Sequence, residues 1–162
     1  TFDRQALEAV LNQISSQLLA RREMLATAES CTGGLISAAC TALAGSSLWF
    51  ERGFVTYSNA AKTELLGVPA PLIETHGAVS EPVARAMAEG AIAHSHAQAS
   101  VSVTGVAGPG GASPGKPVGT VWFGWHVAGR THSEARRFAG DRTQVRAATV
   151  QHALTRLLTL LA

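Results

Sequence analysis

An α/β fold, a single-domain sandwich with helices on both faces of a mixed β-sheet, is predicted by three features of the chain. Apolar residues at helical spacing alternate with short apolar runs of strand length. The first three of those runs break off in polar junctions that lead into loops or helices, the pattern of parallel strands joined by crossovers. The last two strands are joined by a tight turn and read as an antiparallel hairpin.

Leu7, Val10, Leu11, Ile14 and Leu18 recur at helical spacing behind Asp3, which predicts a helix over residues 3–22 with Asp3 as N-cap. Residues 24–28 read as a buried strand ending at Glu29-Ser30-Cys31-Thr32-Gly33-Gly34, before an Ala-rich helix over 35–43. Aromatic and β-branched residues over 49–57 predict a second strand, followed by Ser58-Asn59 and a short helix that Gly67 closes. Ser80 caps a helix with Pro82 in its first turn, ending about residue 96. A third strand over 99–103 runs into Thr104-Gly105-Val106-Ala107-Gly108-Pro109-Gly110-Gly111. Val121, Phe123 and Trp125 alternate with Trp122, Gly124 and His126, and a turn at 128–130 returns the chain over 131–138. Asp141 with Gln144 makes a capping-box start for a terminal helix striped by Val150, Leu154, Leu157 and Leu161.

With 162 residues, 46% of them hydrophobic and 15% charged, one domain over 1–162 is expected, which excludes disorder and a disulfide scaffold. No apolar stretch approaches the roughly 18 residues of a membrane span. The net charge of +2 is scattered along the chain, so nucleic acid is not an expected partner. Cys31 and Cys40 lie outside any metal-finger spacing, and the chain opens on a polar helical segment instead of a signal peptide, which reads as a reducing cytoplasm. The six histidines form no metal motif; His94 and His96, two apart, point from different helix faces. Neither metal nor cofactor is expected. Against eleven Arg the chain keeps only two Lys, Lys62 and Lys116.

In open α/β sheets, ligands collect where parallel strands end. If the first three strands are parallel neighbours, Ser30, Lys62 and Thr104 share one rim. Ser30 reads either as a helix N-cap or as a nucleophilic hydroxyl exposed above the sheet, with Cys31 as its rival. Gly33-Gly34 is either a structural tight turn or a loop whose N–H groups hold an anion or oxyanion, and it matches neither the Walker nor the dinucleotide fingerprint. Lys62 lies in the first turn of its helix, where the positive dipole end disfavours a cation. It is either a solvated surface Lys or, if buried, a neutral amine able to take the Ser30 proton.

With those residues in hand, the chain resembles the CinA C-terminal domain family, whose stand-alone members are nicotinamide-nucleotide amidases. The resemblance is carried in order by Thr27 to Leu35, Phe50 to Asn59, Ala61-Lys62, Leu65 to Val68, His76 to Ser80, Val103 to Gly111 and Lys116 to Val121, roughly residues 25 to 125. It implies hydrolysis of the carboxamide of nicotinamide mononucleotide to nicotinate mononucleotide and ammonia by a serine amidohydrolase without metal. Ser30 would be the nucleophile and Lys62 the base, supported by Tyr57 and Thr104. Glu29, Thr32, Gly33, Gly34, Asn59, Gly105, Gly108 and Gly110 would enclose the substrate, and Arg52 would meet its phosphate. A homodimer is implied as well. The N-terminal molybdopterin-binding-like domain of two-domain members has no counterpart in these residues. The competing reading is a catalytically silent nucleotide-binding or regulatory module using the same loops.

Overall fold

In the computed structural model, which describes residues 3–162, Asp3 accepts a hydrogen bond from the Ala6 N–H at 3.1 Å and opens α1 (Arg4–Arg21). Leu7, Leu11, Ile14 and Leu18 form its buried stripe, as their spacing predicts. There follow β1 (Leu25–Glu29), α2 (Leu35–Thr41), a 3₁₀ turn (Ser46–Leu48) and β2 (Phe50–Val55). The chain continues through α3 (Asn59–Leu66), α4 (Ala70–His76), α5 (Glu81–Ala93), β3 (Ala99–Gly105), β4 (Thr120–Val127), β5 (Arg130–Arg137) and α6 (Arg142–Leu161).

The five strands form one sheet in the order β2-β1-β3-β4-β5. β1 pairs parallel with β2 and with β3, while β3-β4 and β4-β5 are antiparallel, so the sheet is mixed as predicted. Ala128 and Gly129 both take positive φ, 53° and 76°, which matches the twist of a two-residue hairpin turn.

α4 is unforeseen in the sequence reading. Pro69 and Pro71 suggest a break, but Pro69 is the N-cap and Pro71 lies in the first turn, where a missing N–H costs nothing. β1 ends one residue later than expected, on Glu29, and α5 stops at Ala93, short of residue 96.

Two apolar layers cover the sheet: α1, α2 and α6 on one face, α3, α4 and α5 on the other. Strand alternation assigns the side chains. On β3, Ala99, Val101 and Val103 enter the first layer. The intervening Ser100, Ser102 and Thr104 hydroxyls donate to the carbonyls of Ala88, Ala84 and Ala78 at 2.7, 2.6 and 3.0 Å. Each buried hydroxyl is thereby satisfied, and α5 is held close to the sheet. On the opposite face the Trp125 indole N–H donates to the Ala153 carbonyl at 3.0 Å, which docks α6.

Candidate active site

Because β1 lies between β2 and β3, the connections leaving its carboxyl end diverge, and a crevice opens at this topological switch point. Ser30 follows β1, Lys62 sits on the helix after β2, and Thr104 lies near the end of β3. All three line one pocket of about 220 Å³, together with Tyr57, Asn59 and Gly105 from the predicted set. A larger apolar groove of about 810 Å³ between α1, α2 and α6 contains none of the predicted site residues.

Lys62 is 1% exposed. Its Nζ lies 3.0 Å from Ser30 Oγ, 3.0 Å from the Tyr57 carbonyl and 3.1 Å from the Thr56 carbonyl. Burial pushes its pKa below the ordinary value of 10.5. The two carbonyls can only accept hydrogen bonds, so a neutral amine spends both N–H groups on them and turns its lone pair toward Ser30. A solvated surface lysine is thus excluded, and the amine is placed to receive the serine proton.

Cys31 also lines the pocket, but burial raises its thiol pKa from 9.0 to about 12. It is a neutral thiol at neutral pH and a poor nucleophile. Thr104 Oγ1 is spent on the Ala78 carbonyl, which fixes the opposite pocket wall. Tyr57 is 63% exposed; its carbonyl braces Lys62 while its ring stands at the pocket mouth.

Several predicted substrate contacts are placed elsewhere. Glu29 is fully buried and its carboxylate accepts four hydrogen bonds, from Thr32 Oγ1, the Ile36 N–H, the Ser37 N–H and Ser37 Oγ, at 2.5 to 2.9 Å. It anchors the start of α2 and has no capacity left for substrate. Thr32, likewise buried, spends its hydroxyl on Glu29. Gly33 and Gly34 do not line the pocket. Their positive φ, 57° and 110°, turns the chain from β1 into α2, and the Gly33 N–H is committed to the Ser30 carbonyl at 3.1 Å.

Arg52 is paired in register with Ala26, three residues upstream of Glu29, toward the far end of the sheet. It pairs with Glu51 at 2.7 Å and donates to the His94 carbonyl after α5, so it cannot meet a phosphate at this rim. Gly108 and Gly110 lie outside the lining, and the Gly108 carbonyl accepts from Arg142 at 2.9 Å.

Arg142 is the site cation that the sequence reading missed. It starts α6, lines the pocket, and brings a guanidinium nitrogen to 3.5 Å from the Tyr57 hydroxyl. The available signal was the one that flagged Lys62, a cation in the first turn of a helix. Arg146, one turn on, donates to the Cys31 and Thr32 carbonyls at 3.1 and 3.2 Å and fastens the loop after β1 to α6. No cluster of three His, Cys, Asp or Glu side chains with metal-site geometry occurs among the described residues.

The model of the CinA C-terminal domain matches residues 7–161. The chain belongs to the CinA C-terminal domain family. Within the CinA family, this chain is 58% identical over 134 residues to the nicotinamide-nucleotide amidohydrolase PncC of Pseudomonas putida, covering 83% of the chain and 84% of that protein. A CinA-like protein of Mycolicibacterium vanbaalenii is 52% identical over 155 residues, which make up 93% of this chain and 36% of that longer protein. Among solved structures, a CinA superfamily protein from Escherichia coli superposes with a TM-score of 0.92 at 42% identity, covering 95% of this chain and 90% of its own.

Proposed function

We propose that this chain is a nicotinamide-nucleotide amidohydrolase that deamidates nicotinamide mononucleotide, with Ser30 as nucleophile and Lys62 as general base. The observation that carries this reading is the 3.0 Å approach of a desolvated Lys62 amine to the Ser30 hydroxyl at the floor of a pocket. The amidohydrolase names of relatives that align over most of the chain supply the substrate class.

Ser30 Oγ attacks the carboxamide carbon while its proton passes to Lys62 Nζ, and the carbonyl electron pair moves onto oxygen. The backbone amide of Cys31, which follows Ser30 and lines the pocket, serves as the donor for that oxyanion, since the Gly33 amide is committed to the Ser30 carbonyl. Collapse breaks the C–N bond as the Lys62 ammonium gives its proton to the amide nitrogen, which leaves as ammonia. Water then adds to the Ser30 ester with Lys62 again as base, releasing the carboxylic acid. The cationic pyridine ring draws electrons from the amide carbon and assists both additions.

The pocket is smaller than the roughly 300 Å³ at which small-molecule sites begin, so it takes the pyridine carboxamide and leaves the ribose phosphate at the rim. There Arg142 and Asn59 replace Arg52 as the polar contacts for the phosphate. The paired form is a homodimer, and the compartment is the cytoplasm, which suits the two free thiols of Cys31 and Cys40.

The test is ammonia release from a panel of pyridine amides. Wild type should turn over the mononucleotide, and Ser30→Ala should lose about 10⁵-fold or more in kcat/KM, the scale of a lost nucleophile. A binding-only module would release no ammonia from any amide, and an active Ser30→Ala would remove Ser30 from its role.

A further inference from the structure

Lys62 holds Ser30; the chain's one other lysine, Lys116, lies outside the pocket lining but is tied to its wall. Its Nζ donates to the His76 carbonyl at 2.7 Å. His76 closes α4, so this carbonyl has no partner within the helix and faces the end of the dipole that favours a cation. The ammonium sits against the bare backbone of the next residue. A Cβ on Gly77 would stand 2.6 Å from Nζ, and Gly77 has a φ of +78° that side chains rarely adopt. A compact ammonium fits this seat, whereas a planar guanidinium is wider and places its charge differently.

The turn clamped in this way leads straight to the pocket. Ser80 Oγ donates to the Gly77 carbonyl at 2.7 Å, and Thr104 Oγ1 donates to the Ala78 carbonyl at 3.0 Å. Ala78 and Val79 then line the pocket opposite Ser30 and Lys62. Lys116 itself belongs to the segment that leaves β3, which Arg142 holds at the Gly108 carbonyl and which folds back through mutual backbone bonds between Ser113 and Lys116. The segment between β3 and β4 is thus tied to helices on both faces of the sheet, by Arg142 of α6 at its Gly108 carbonyl and by its own Lys116 at the last residue of α4.

We propose that Lys116 is a positioning residue for the substrate. By tying the β3–β4 segment to the His76–Gly77 turn, it sets the Ala78–Val79 wall against which the bound ring or ribose lies. It governs substrate affinity and takes no part in the proton transfer between Ser30 and Lys62. This inference rests on the amidase reading of the pocket.

The experiment compares wild type with Lys116→Met, Lys116→Arg and Gly77→Ala, measuring steady-state ammonia release from nicotinamide mononucleotide, the pH profile of kcat/KM and the melting temperature. All three variants should raise KM about tenfold with kcat within about threefold of wild type, the signature of lost binding without lost transition-state chemistry. The pH midpoint set by Lys62 should not move, and Arg should fail to rescue. An unchanged KM in Lys116→Met, full rescue by Lys116→Arg, or a kcat loss that follows a fall in melting temperature would each overturn the inference. If Lys116→Met does not fold, its role is structural and the proposal falls with it. A wild type that releases no ammonia would instead sink the amidase reading itself.

Discussion

Lys62 carries its amine in a seat that provides two carbonyls and a serine hydroxyl but, among the described residues, no counter-ion within hydrogen-bonding distance. Charge there is costly, and the neutral form is the useful one. Lys62→Arg keeps a cation that cannot deprotonate near neutral pH, so kcat/KM should fall about 10³-fold, within the range for a lost general base. In wild type, kcat/KM should rise with pH through the depressed Lys62 pKa, because only the neutral amine accepts the Ser30 proton. Near-wild-type turnover in Lys62→Arg would leave Ser30 without a base. At the neighbouring position Cys31→Ala should keep most of the activity, since a thiol raised to about 12 is not a thiolate at neutral pH. A dead Cys31→Ala beside an active Ser30→Ala would reverse the assignment. At the rim, Arg142→Gln should raise KM for the mononucleotide more than for the phosphate-free riboside, and equal effects on both would take the phosphate away from Arg142.

Between β1 and α2, Glu29 converts a strand end into a fixed helix start. Ser37 Oγ donates to the carboxylate, so in the 2.7 Å contact between Thr27 and Ser37 it is Thr27 that donates. Glu29→Ala would strand four donors, two buried and two part-buried, a loss of about 4 kcal/mol that lowers the melting temperature by roughly 10 °C in a chain of this size. A melting temperature within about 2 °C of wild type would show that water replaces the carboxylate there without cost. α3 and α5 meet even more closely. A Cβ on Gly90 would lie 2.1 Å from the Leu66 carbonyl, on the helix that carries Lys62. Gly90→Ala must push the two helices apart, costing about 1–3 kcal/mol. It should also lower kcat, up to about 10²-fold if Lys62 moves by an ångström from Ser30. Calorimetry and steady-state kinetics on one preparation check both effects, and unchanged kcat would mean that α3 absorbs the strain without moving Lys62.

For the molecule as a whole, the buried amine ties stability to pH. Between the depressed folded pKa of Lys62 and 10.5, the unfolded chain binds a proton that the folded chain lacks, so stability rises with pH across that window. Below the folded value both states are protonated, and the full cost of the buried charge is present. Urea unfolding of wild type and Lys62→Met at a series of pH values up to 10.5 isolates this contribution, since the other titrating groups are common to both proteins and cancel in the difference. The difference in unfolding free energy between the two should change with pH in the direction given, and a flat difference would place the Lys62 pKa near its ordinary value. Light scattering at micromolar concentration should give twice the mass of the 162-residue chain, and a strictly monomeric mass would remove the dimer.

The alternation of strands, junctions and helices is a local property, so the mixed sheet and the rim bearing Ser30, Lys62 and Thr104 can be read from residue order alone. The same holds for the Asp3 and Asp141 caps, whose partners lie three residues away. What cannot be read this way is how far a side chain travels from its own segment. Glu29 looks like a loop carboxylate until α2 packs over it, and Arg52 looks like a rim cation until strand register sets it opposite Ala26. Arg142 reaches Tyr57 across 85 residues of sequence, and Lys116 reaches His76 across 40. Periodicity records which face a residue occupies, but burial, the partner of a donor and the pKa of an amine depend on groups brought together by packing from distant parts of the chain.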